Sequence, residues 1–224
     1  MDNLRVVIDA GHGGFDGGAV VKNTLEKDIT LKASSFLGRM LEDTGYCVIY
    51  TRTTDKSLSK DKTTDMKERL KIINKKSNII FISLHANIYP SNKVYGSQVF
   101  YSSNFDSSKT LSEHIQNYLK EEDKLNKRLA KVIKDKYITD NAIIPGCIVE
   151  LGFMSNENDL KVMTNEKTLE YIVISDVVIN SAICSRRYFD DEFYVHTETM
   201  DIELYGGKLQ ILDSEFTTRL EISA

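Results

Sequence analysis

The chain has 224 residues, of which 41% are hydrophobic and 28% are charged, proportions that are ordinary for a globular protein. Its 29 basic and 33 acidic residues give a formal charge of −4, which indicates no surface for nucleic acid. No apolar run approaches the length of a membrane span, so one globular domain with a sizeable core is expected.

The first predicted element is a buried strand that runs into a glycine-rich loop. The strand is expected at residues 4–9, around the apolar, β-branched run Val6-Val7-Ile8, and the glycines that follow end it. The dinucleotide-binding fingerprint is excluded because Asp16 stands where that motif needs glycine, and the Gly-Lys-Ser/Thr ending of a phosphate-binding loop is missing. The glycines instead favour a backbone that passes close to a metal or a substrate.

Helical and strand patterns alternate along the rest of the chain. Helices are predicted at 28–44, 66–76, 108–120, 155–163 and 166–184, and strands at 46–50, 79–84, 95–101 and 146–151. Asp28 is the expected cap of the first helix, and residues 95–101 are expected to form an edge strand. The polar residues 51–65 are interpreted as a solvated loop. The predicted fold is α/β, an open, twisted, mostly parallel sheet flanked by helices on both faces.

The last part of the chain predicts a separate β structure. Residues 1–186 are expected to form the main domain, and residues 187–224 a tail like a β-hairpin. Apolar and polar residues alternate on both sides of Gly206-Gly207, which predicts a hairpin with Leu204 opposite Leu209. A second alternation at residues 216–222 predicts one more strand. A lone hairpin is marginal in water, so its apolar face needs its own domain, a second copy or another protein to pack on.

Two of the predicted strands lead to a histidine. The first strand delivers His12, the strand at 79–84 delivers His85, and Glu26 stands just before the first helix. Open α/β sheets carry their chemistry at such strand ends, and two imidazoles with one carboxylate make a three-ligand zinc site with an open position for water. Singly, each residue also fits a structural role, a hydrogen-bonded histidine or a carboxylate at a helix start. The matching strand ends favour the metal site.

Several sequence blocks occur in the order found in a known family. They are VVIDAGHGG, LEKD, Thr51-Arg52, ERLKIIN, FISLHAN and IVELGFMSN. In these blocks, which span roughly residues 4–184, the chain resembles the zinc-dependent N-acetylmuramoyl-L-alanine amidases that hydrolyse cell-wall peptidoglycan. GGFDGGAV, residues 61–74 and GSQVFYS are most similar to the sporulation members of that family, which trim spore-cortex peptidoglycan.

The resemblance implies one Zn²⁺ per chain, held by His12, Glu26 and His85, and a catalytic glutamate at Glu150. It implies cleavage of the amide between the lactyl group of N-acetylmuramic acid and L-alanine of the stem peptide, in the cortex as preparation for muramic-lactam formation. Residues 1–186 would then be the zinc amidase catalytic domain. Independently, Glu150 interrupts the apolar run CIVELGF, and a carboxylate there needs a partner or a task. An ion pair with Arg52 or a lysine is the structural alternative.

Two features depart from the family pattern. Asp140 stands where the family commonly has an arginine, which reverses the charge offered to an anionic group of the substrate. The tail from about residue 187 does not match the family pattern. These departures leave open an activating protein partner, or a homodimer formed through the tail.

The resemblance also bears on location and on the alternatives. A peptidoglycan hydrolase acts outside the membrane, so we expect an exported protein of the cell wall or spore cortex whose leader or anchor has been removed. Cys47, Cys147 and Cys184 have no C-x-x-C spacing and are expected to be thiols in apolar surroundings. Two other functions stay open, a zinc carboxypeptidase or other peptidase acting on wall peptides, and a non-catalytic wall-binding module.

Overall fold

The structure, a computed structural model, describes residues 5–75 and 79–176 and the strand backbones at 202–205, 208–212 and 218–223. Its Cα framework divides into two compact units, residues 1–181 and residues 182–224. The domain boundary expected at 186/187 lies outside the described residues. No helix in the described part of the chain has the length and apolar character needed to cross a membrane.

The first unit is a sheet with helices on both faces. In chain order its elements are β1 (Arg5–Ala10), β2 (Val20–Val21), β3 (Thr24–Leu25), α1 (Glu26–Asp43), β4 (Cys47–Tyr50), α2 (Lys62–Ile73), β5 (Ile80–Asn87), β6 (Gln98–Tyr101), α3 (Asp106–Glu122), β7 (Lys131–Val132), α4 (Tyr137–Asn141), β8 (Gly146–Phe153), α5 (Glu157–Thr164) and α6 (Glu166–Asp176). The six-stranded sheet has the order β4-β1-β5-β8-β6-β7, with only β6 and β8 antiparallel. The predicted fold class is confirmed.

The central strands are buried on both faces, which is why their sequences contain continuous apolar runs, Val6-Val7-Ile8 and Ile80-Phe81-Ile82, instead of alternating. On one face Val7 and Phe81 pack in a cluster with Ile73 of α2 and Ile138 of α4. The chain passes from β1 to β4 through α1 and returns to β5 through α2, so right-handed crossovers put these two helices on opposite faces. The carboxyl ends of β1, β5 and β8 therefore meet at one edge of the sheet.

The starts of both early helices differ from the prediction. Helix α1 begins at Glu26, two residues before the expected cap Asp28, and no side chain caps it. Helix α2 begins at Lys62 and not at 66, because the carboxylate of Asp61 accepts a hydrogen bond of 2.9 Å from the N–H of Thr64. The end of the predicted polar loop is thus the first turn of a helix.

Two strands also differ from the prediction. The strand at 95–101 was expected at the edge of the sheet, but β6 lies between β8 and β7. Strand β5 continues beyond residue 84 to Asn87, and in its register with β8 His85 pairs with Glu150. His85 therefore belongs to the sheet instead of following it. Helix α4 was not predicted, since five residues are too few to show a helical period.

The second unit contains a three-stranded antiparallel sheet of order β11-β10-β9. Its strands are β9 (Ile202–Tyr205), β10 (Lys208–Leu212) and β11 (Thr218–Ser223). Leu204 pairs with Leu209 and Ile202 with Ile211, which confirms the register expected from the alternation. Strand β11 supplies the additional strand. The predicted continuation of the last helix to residue 184 lies outside the described residues.

Candidate metal centre and active site

Three side chains from separate elements meet at the carboxyl edge of the sheet. His12 follows β1, His85 lies in β5, and Glu26 is the first residue of α1. Nε2 of His12 lies 3.1 Å from Oε2 of Glu26, and Nδ1 of His85 lies 2.9 Å from its Oε1. One donor atom from each residue lies within 4.8 Å of the other two, so the three could hold one metal ion.

The loop after β1 brings backbone and side chains unusually close together. A side chain at Gly11 would collide with the ring of His85, so only glycine fits beneath this imidazole. At Gly18, where φ is +66°, a Cβ would come within 2.6 Å of Oε2 of Glu26. His12 itself has a φ of +62°, a left-handed conformation that the surrounding hydrogen bonds must hold.

Asp16 fixes the orientation of His12. Its Oδ2 lies 2.9 Å from Nδ1 of His12, and its Oδ1 accepts a hydrogen bond from the N–H of Gly18. A carboxylate on one ring nitrogen leaves the other nitrogen free to bind a metal. Burial acts to raise the pKa of Asp16, but the hydrogen bonds with His12 and Gly18 lower it to about 2, so this carboxylate is ionised.

Glu26 is buried and fully occupied by donors. Oε2 accepts from the N–H of Ala19 at 2.8 Å and Oε1 from the N–H of Ala86 at 3.1 Å, besides the two imidazoles. Burial acts to raise the pKa of Glu26, but the hydrogen bonds with His12 and His85 lower it well below its usual value. Burial acts to lower the pKa of His85, and the contact with Glu26 raises it above its usual value.

Arg52 holds the loop after β1 through hydrogen bonds to backbone carbonyls. Its Nε donates to the carbonyl of Ala10 at 3.0 Å, and its Nη2 donates to the carbonyls of Gly11 at 2.9 Å and Lys27 at 2.8 Å. Among the described residues the hydrogen bonds of Arg52 go to carbonyl oxygens and to the hydroxyl of Thr30, and it forms no ion pair with Glu150. Arg52 therefore ties the loop after β1 to the start of α1.

Arg69 of α2 is a second buried arginine, and it reaches the same loop. Its Nη1 lies 2.8 Å from Oδ1 of Asp9 and donates to the carbonyl of Ala10, and its Nε lies 2.6 Å from Oδ2 of Asp65. Its Nη2 donates to the carbonyl of His12, the residue in the left-handed conformation. Sequence reasoning missed Arg69, because its spacing on a helix resembles that of a surface residue.

Glu150 faces the same cleft from β8. Its Oε2 is buried and has no hydrogen-bond partner among the residues that the structure describes, so neither structural alternative, an ion pair with Arg52 or with a lysine, is formed at this oxygen within the described chain. Burial raises the pKa of Glu150 above its usual value, and the negative charge of Glu26 acts in the same direction. A buried carboxylate oxygen without a partner is costly unless it serves a reaction or a ligand.

A cleft of about 380 Å³ opens over these four side chains. Helices α2 and α4 supply one wall of it, with Lys62 and Met66 from the first, and Tyr137 and Ile138 from the second, and with Lys136 just before α4. The polar stretch that was interpreted as solvated loop thus contributes Lys62 and Asp65 to the cleft. The lining of the cleft combines apolar and polar side chains, as binding sites for organic substrates do.

Outside this cleft, the histidine and cysteine residues that the structure describes have ordinary surroundings. Nδ1 of His114 contacts the carbonyl of Thr110 on its own helix. Cys47 and Cys147 are free thiols, as expected, and burial raises the pKa of Cys147 to about 12. Cys184 and His196 lie outside the described residues.

A protein-family model described as N-acetylmuramoyl-L-alanine amidase, Amidase_3, matches residues 6–177, which include all four side chains of the cleft. The chain belongs to this amidase family. It is therefore an enzyme, a peptidoglycan hydrolase of the N-acetylmuramoyl-L-alanine amidase type.

Relatives of this amidase agree in sequence and in structure. The germination-specific N-acetylmuramoyl-L-alanine amidase of Bacillus subtilis is 34% identical over 178 residues, 76% of this chain and 75% of that protein. The CwlD amidase of Clostridioides difficile, solved in complex with the GerS lipoprotein, is 36% identical with a TM-score of 0.75, covering 83% of this chain and 98% of that chain. An N-acetylmuramoyl-L-alanine amidase from Clostridium difficile 630 is 25% identical with a TM-score of 0.75, covering 85% and 100%.

Proposed function

We propose that this amidase hydrolyses the amide between the lactyl group of N-acetylmuramic acid and L-alanine, with Zn²⁺ held by His12, Glu26 and His85 and with Glu150 as general base. The observation that carries the proposal is the meeting of these three donors in one cleft with a buried carboxylate oxygen that has no partner in the described part of the chain. We further propose that residues 1–186 form the catalytic domain and residues 187–224 a tail with a separate role.

The donor set suits zinc. Two imidazole nitrogens and one carboxylate oxygen, within 4.8 Å of one another, match the three protein ligands of catalytic zinc sites. When bound, zinc would supply Lewis-acid polarisation of the scissile carbonyl and make an attacking water more acidic. Asp16 on His12 and the N–H of Ala86 on Glu26 orient the ligands, as partners outside the coordination sphere do in such sites.

Glu150 is the group left to move protons. It accepts the proton of the attacking water and returns it to the nitrogen of L-alanine as the carbon–nitrogen bond breaks. The products are a carboxylate on the lactyl group and the free amine of the stem peptide. Burial raises the pKa of Glu150 from the usual acidic value of a glutamate toward neutral pH. A group that must act first as a base and then as an acid is most effective when its pKa lies near the working pH.

The test separates zinc binding from turnover. Glu150→Gln keeps the shape of the side chain and removes its charge, so we expect zinc to be retained and hydrolysis of peptidoglycan to fall by at least about 100-fold. His85→Ala removes a proposed ligand and should lose both zinc and activity. Glu113→Gln on the exposed face of α3 is the matched control, because its weak ion pair lies on the surface. Retained hydrolysis in Glu150→Gln would eliminate Glu150 as the base.

Mass analysis of the fragments distinguishes the alternatives. An amidase frees the amino group of L-alanine, a carboxypeptidase frees a C-terminal residue, and a non-catalytic wall-binding module releases nothing. Incubating the protein with purified peptidoglycan, with and without added zinc, shows which bond is cut and whether the cleavage depends on zinc.

We also infer a biological setting. The similarity to the germination-specific amidase of Bacillus subtilis supports a role in the spore cortex, where this cut prepares muramic-lactam formation. Peptidoglycan as substrate supports export to the cell wall or cortex. The complex of the CwlD amidase with a lipoprotein supports an activating protein partner for this chain, with a homodimer through the tail as the alternative. Light scattering of the full chain decides whether it self-associates.

A further inference from the structure

We propose that Lys136 is a specificity-determining residue that binds a free carboxylate of the stem peptide, so that the enzyme prefers stems whose second residue is D-glutamate over those in which it is amidated. The inference rests on the proposed amide cleavage. It concerns the part of the cleft between Glu150 and helix α4, for which the proposed chemistry has no task.

Lys136 is exposed, stands immediately before α4 and lines the cleft together with Tyr137 and Glu150. The preceding residue, Asp135, has a φ of +61°, a left-handed turn that directs the chain into the helix. Lys136 and Glu150 line the same cleft, and the positive charge of Lys136 acts to lower the pKa of Glu150. A cation in this cleft is therefore available to an anionic group of a substrate that reaches Glu150.

Asp140 does not neutralise the charge of Lys136. From the sequence we expected Asp140 to offer the substrate a negative charge in place of the positive charge of the arginine common in the family. Its Oδ2 accepts a hydrogen bond of 2.9 Å from the backbone N–H of Lys136, which closes the first turn of α4. Asp140 is exposed and is not among the residues that line the cleft. The carboxylate at position 140 therefore fixes the backbone of Lys136, and the cation offered to the substrate comes from Lys136 itself.

The other cleft lysine is already engaged. Nζ of Lys62 lies 3.2 Å from Oδ2 of Asp16, the carboxylate that orients His12. The ion pairs formed among the described residues do not include Lys136. Arg69 is buried against Asp9 and Asp65. Of the cations that line the cleft, Lys136 is thus the one whose charge a bound ligand can still neutralise.

The chemistry of the substrate points to the stem peptide. Its N-acetylated sugars are neutral, whereas the residue after L-alanine carries an α-carboxylate unless it is amidated. That residue begins about 3.5 Å of extended chain beyond the scissile nitrogen, within reach of a lysine beside Glu150. An exposed ammonium paired with this carboxylate adds modest affinity and discriminates free acid from amide.

Two muramoyl tripeptides that differ only at the second residue, D-glutamate or D-isoglutamine, provide the test. We expect the wild-type enzyme, loaded with zinc, to show a kcat/KM about fivefold higher for the D-glutamate substrate, mainly through KM. Lys136→Met should abolish this preference by lowering kcat/KM for D-glutamate alone, and Lys136→Arg should restore it. Lys134→Met, an exposed lysine outside the cleft, is the matched control and should keep the preference.

Each outcome has one meaning. Equal hydrolysis of the two substrates by the wild-type enzyme overturns the inference and leaves the amidase function intact. A Lys136→Met variant that loses kcat on both substrates equally also overturns it, since Lys136 would then act on Glu150 and not on the stem. Failure of the wild-type enzyme to release L-alanine peptides from either substrate contradicts the proposed function itself.

Discussion

Replacing Arg69 with methionine tests the support beneath the site. Arg69 is 2% exposed, and its guanidinium contacts the carboxylates of Asp9 and Asp65 at 2.8 and 2.6 Å. Arg69→Met keeps the apolar stem and removes the charge, so both carboxylates lose their cation. Breaking a buried ion pair by removing one partner costs about 3–5 kcal/mol, because the remaining charge has no compensation. We expect the free energy of unfolding to fall by that amount.

Thermal unfolding of the full chain by calorimetry measures this loss. A change of 1 kcal/mol shifts Tm by roughly 2–4 °C in a chain of this size, so Arg69→Met should lower Tm by about 10 °C. Arg39→Met is the control, since Arg39 is 59% exposed and lies 3.7 Å from Glu170, a surface pair worth about 1 kcal/mol at most. Equal Tm values for the two variants would refute the assigned role of Arg69.

The pH dependence gives a second, independent readout. Burial acts to raise the pKa of Asp9, but Arg69 and the hydroxyls of Ser83 and Thr51 lower it below its usual value. Asp9 thus stabilises the wild-type protein above its unfolded pKa, and this contribution is lost as pH falls through the folded value. Without Arg69, burial should raise the pKa of Asp9, so the variant gains stability on acidification. The stability gap between wild type and Arg69→Met should narrow from pH 7 to about pH 4.

Three further predictions follow from single contacts. Gly11→Ala adds a methyl group that collides with the ring of His85, so zinc affinity, measured by chelator competition, should fall more than in Gly45→Ala, where no atom lies within 4 Å. Asp16→Asn removes the carboxylate on Nδ1 of His12 and should weaken zinc binding about 10- to 100-fold with little change in Tm; unchanged affinity would contradict its orienting role. In a Cys184→Ser background, a thiol reagent at pH 8 should modify Cys47 and leave Cys147 unmodified until the protein unfolds, because burial raises the pKa of Cys147 to about 12.

Runs of apolar residues in the sequence were sufficient to predict the strands that are buried in the middle of the sheet. The apolar runs before His12 and His85 predicted central parallel strands, and the sheet brings their ends together as expected. The position of β6 could not be predicted, because a two-residue strand such as β7 gives no pattern and strand order is set by distant pairing. The start of α2 was missed although Asp61 is a strong cap, because the polar first turn of that helix has no apolar period.

The side chains of the proposed metal site stand out in the sequence, but the residues that support them do not. Histidines at strand ends and a carboxylate in an apolar strand stand out in a sequence, and His12, His85 and Glu150 were found in this way. Asp16 and Arg69 were not, because an aspartate in a glycine-rich loop and an arginine on a helix are commonplace. The aspartate in GGFD, four residues after His12, was the signal that could have found the first of them. Lys136 had no such signal, since its place in the cleft depends on the short helix that follows it.

The contacts of Glu26 also have a kinetic consequence. Its carboxylate joins residues 59 and 60 positions away along the chain, so the three donors come together only after β1, α1 and β5 have assembled. Contacts between such distant residues tend to form late in folding. An ion bound there would then prolong the lifetime of the native protein without accelerating its formation. Stripping the metal should therefore shorten the time to unfolding in denaturant and leave the refolding rate almost unchanged.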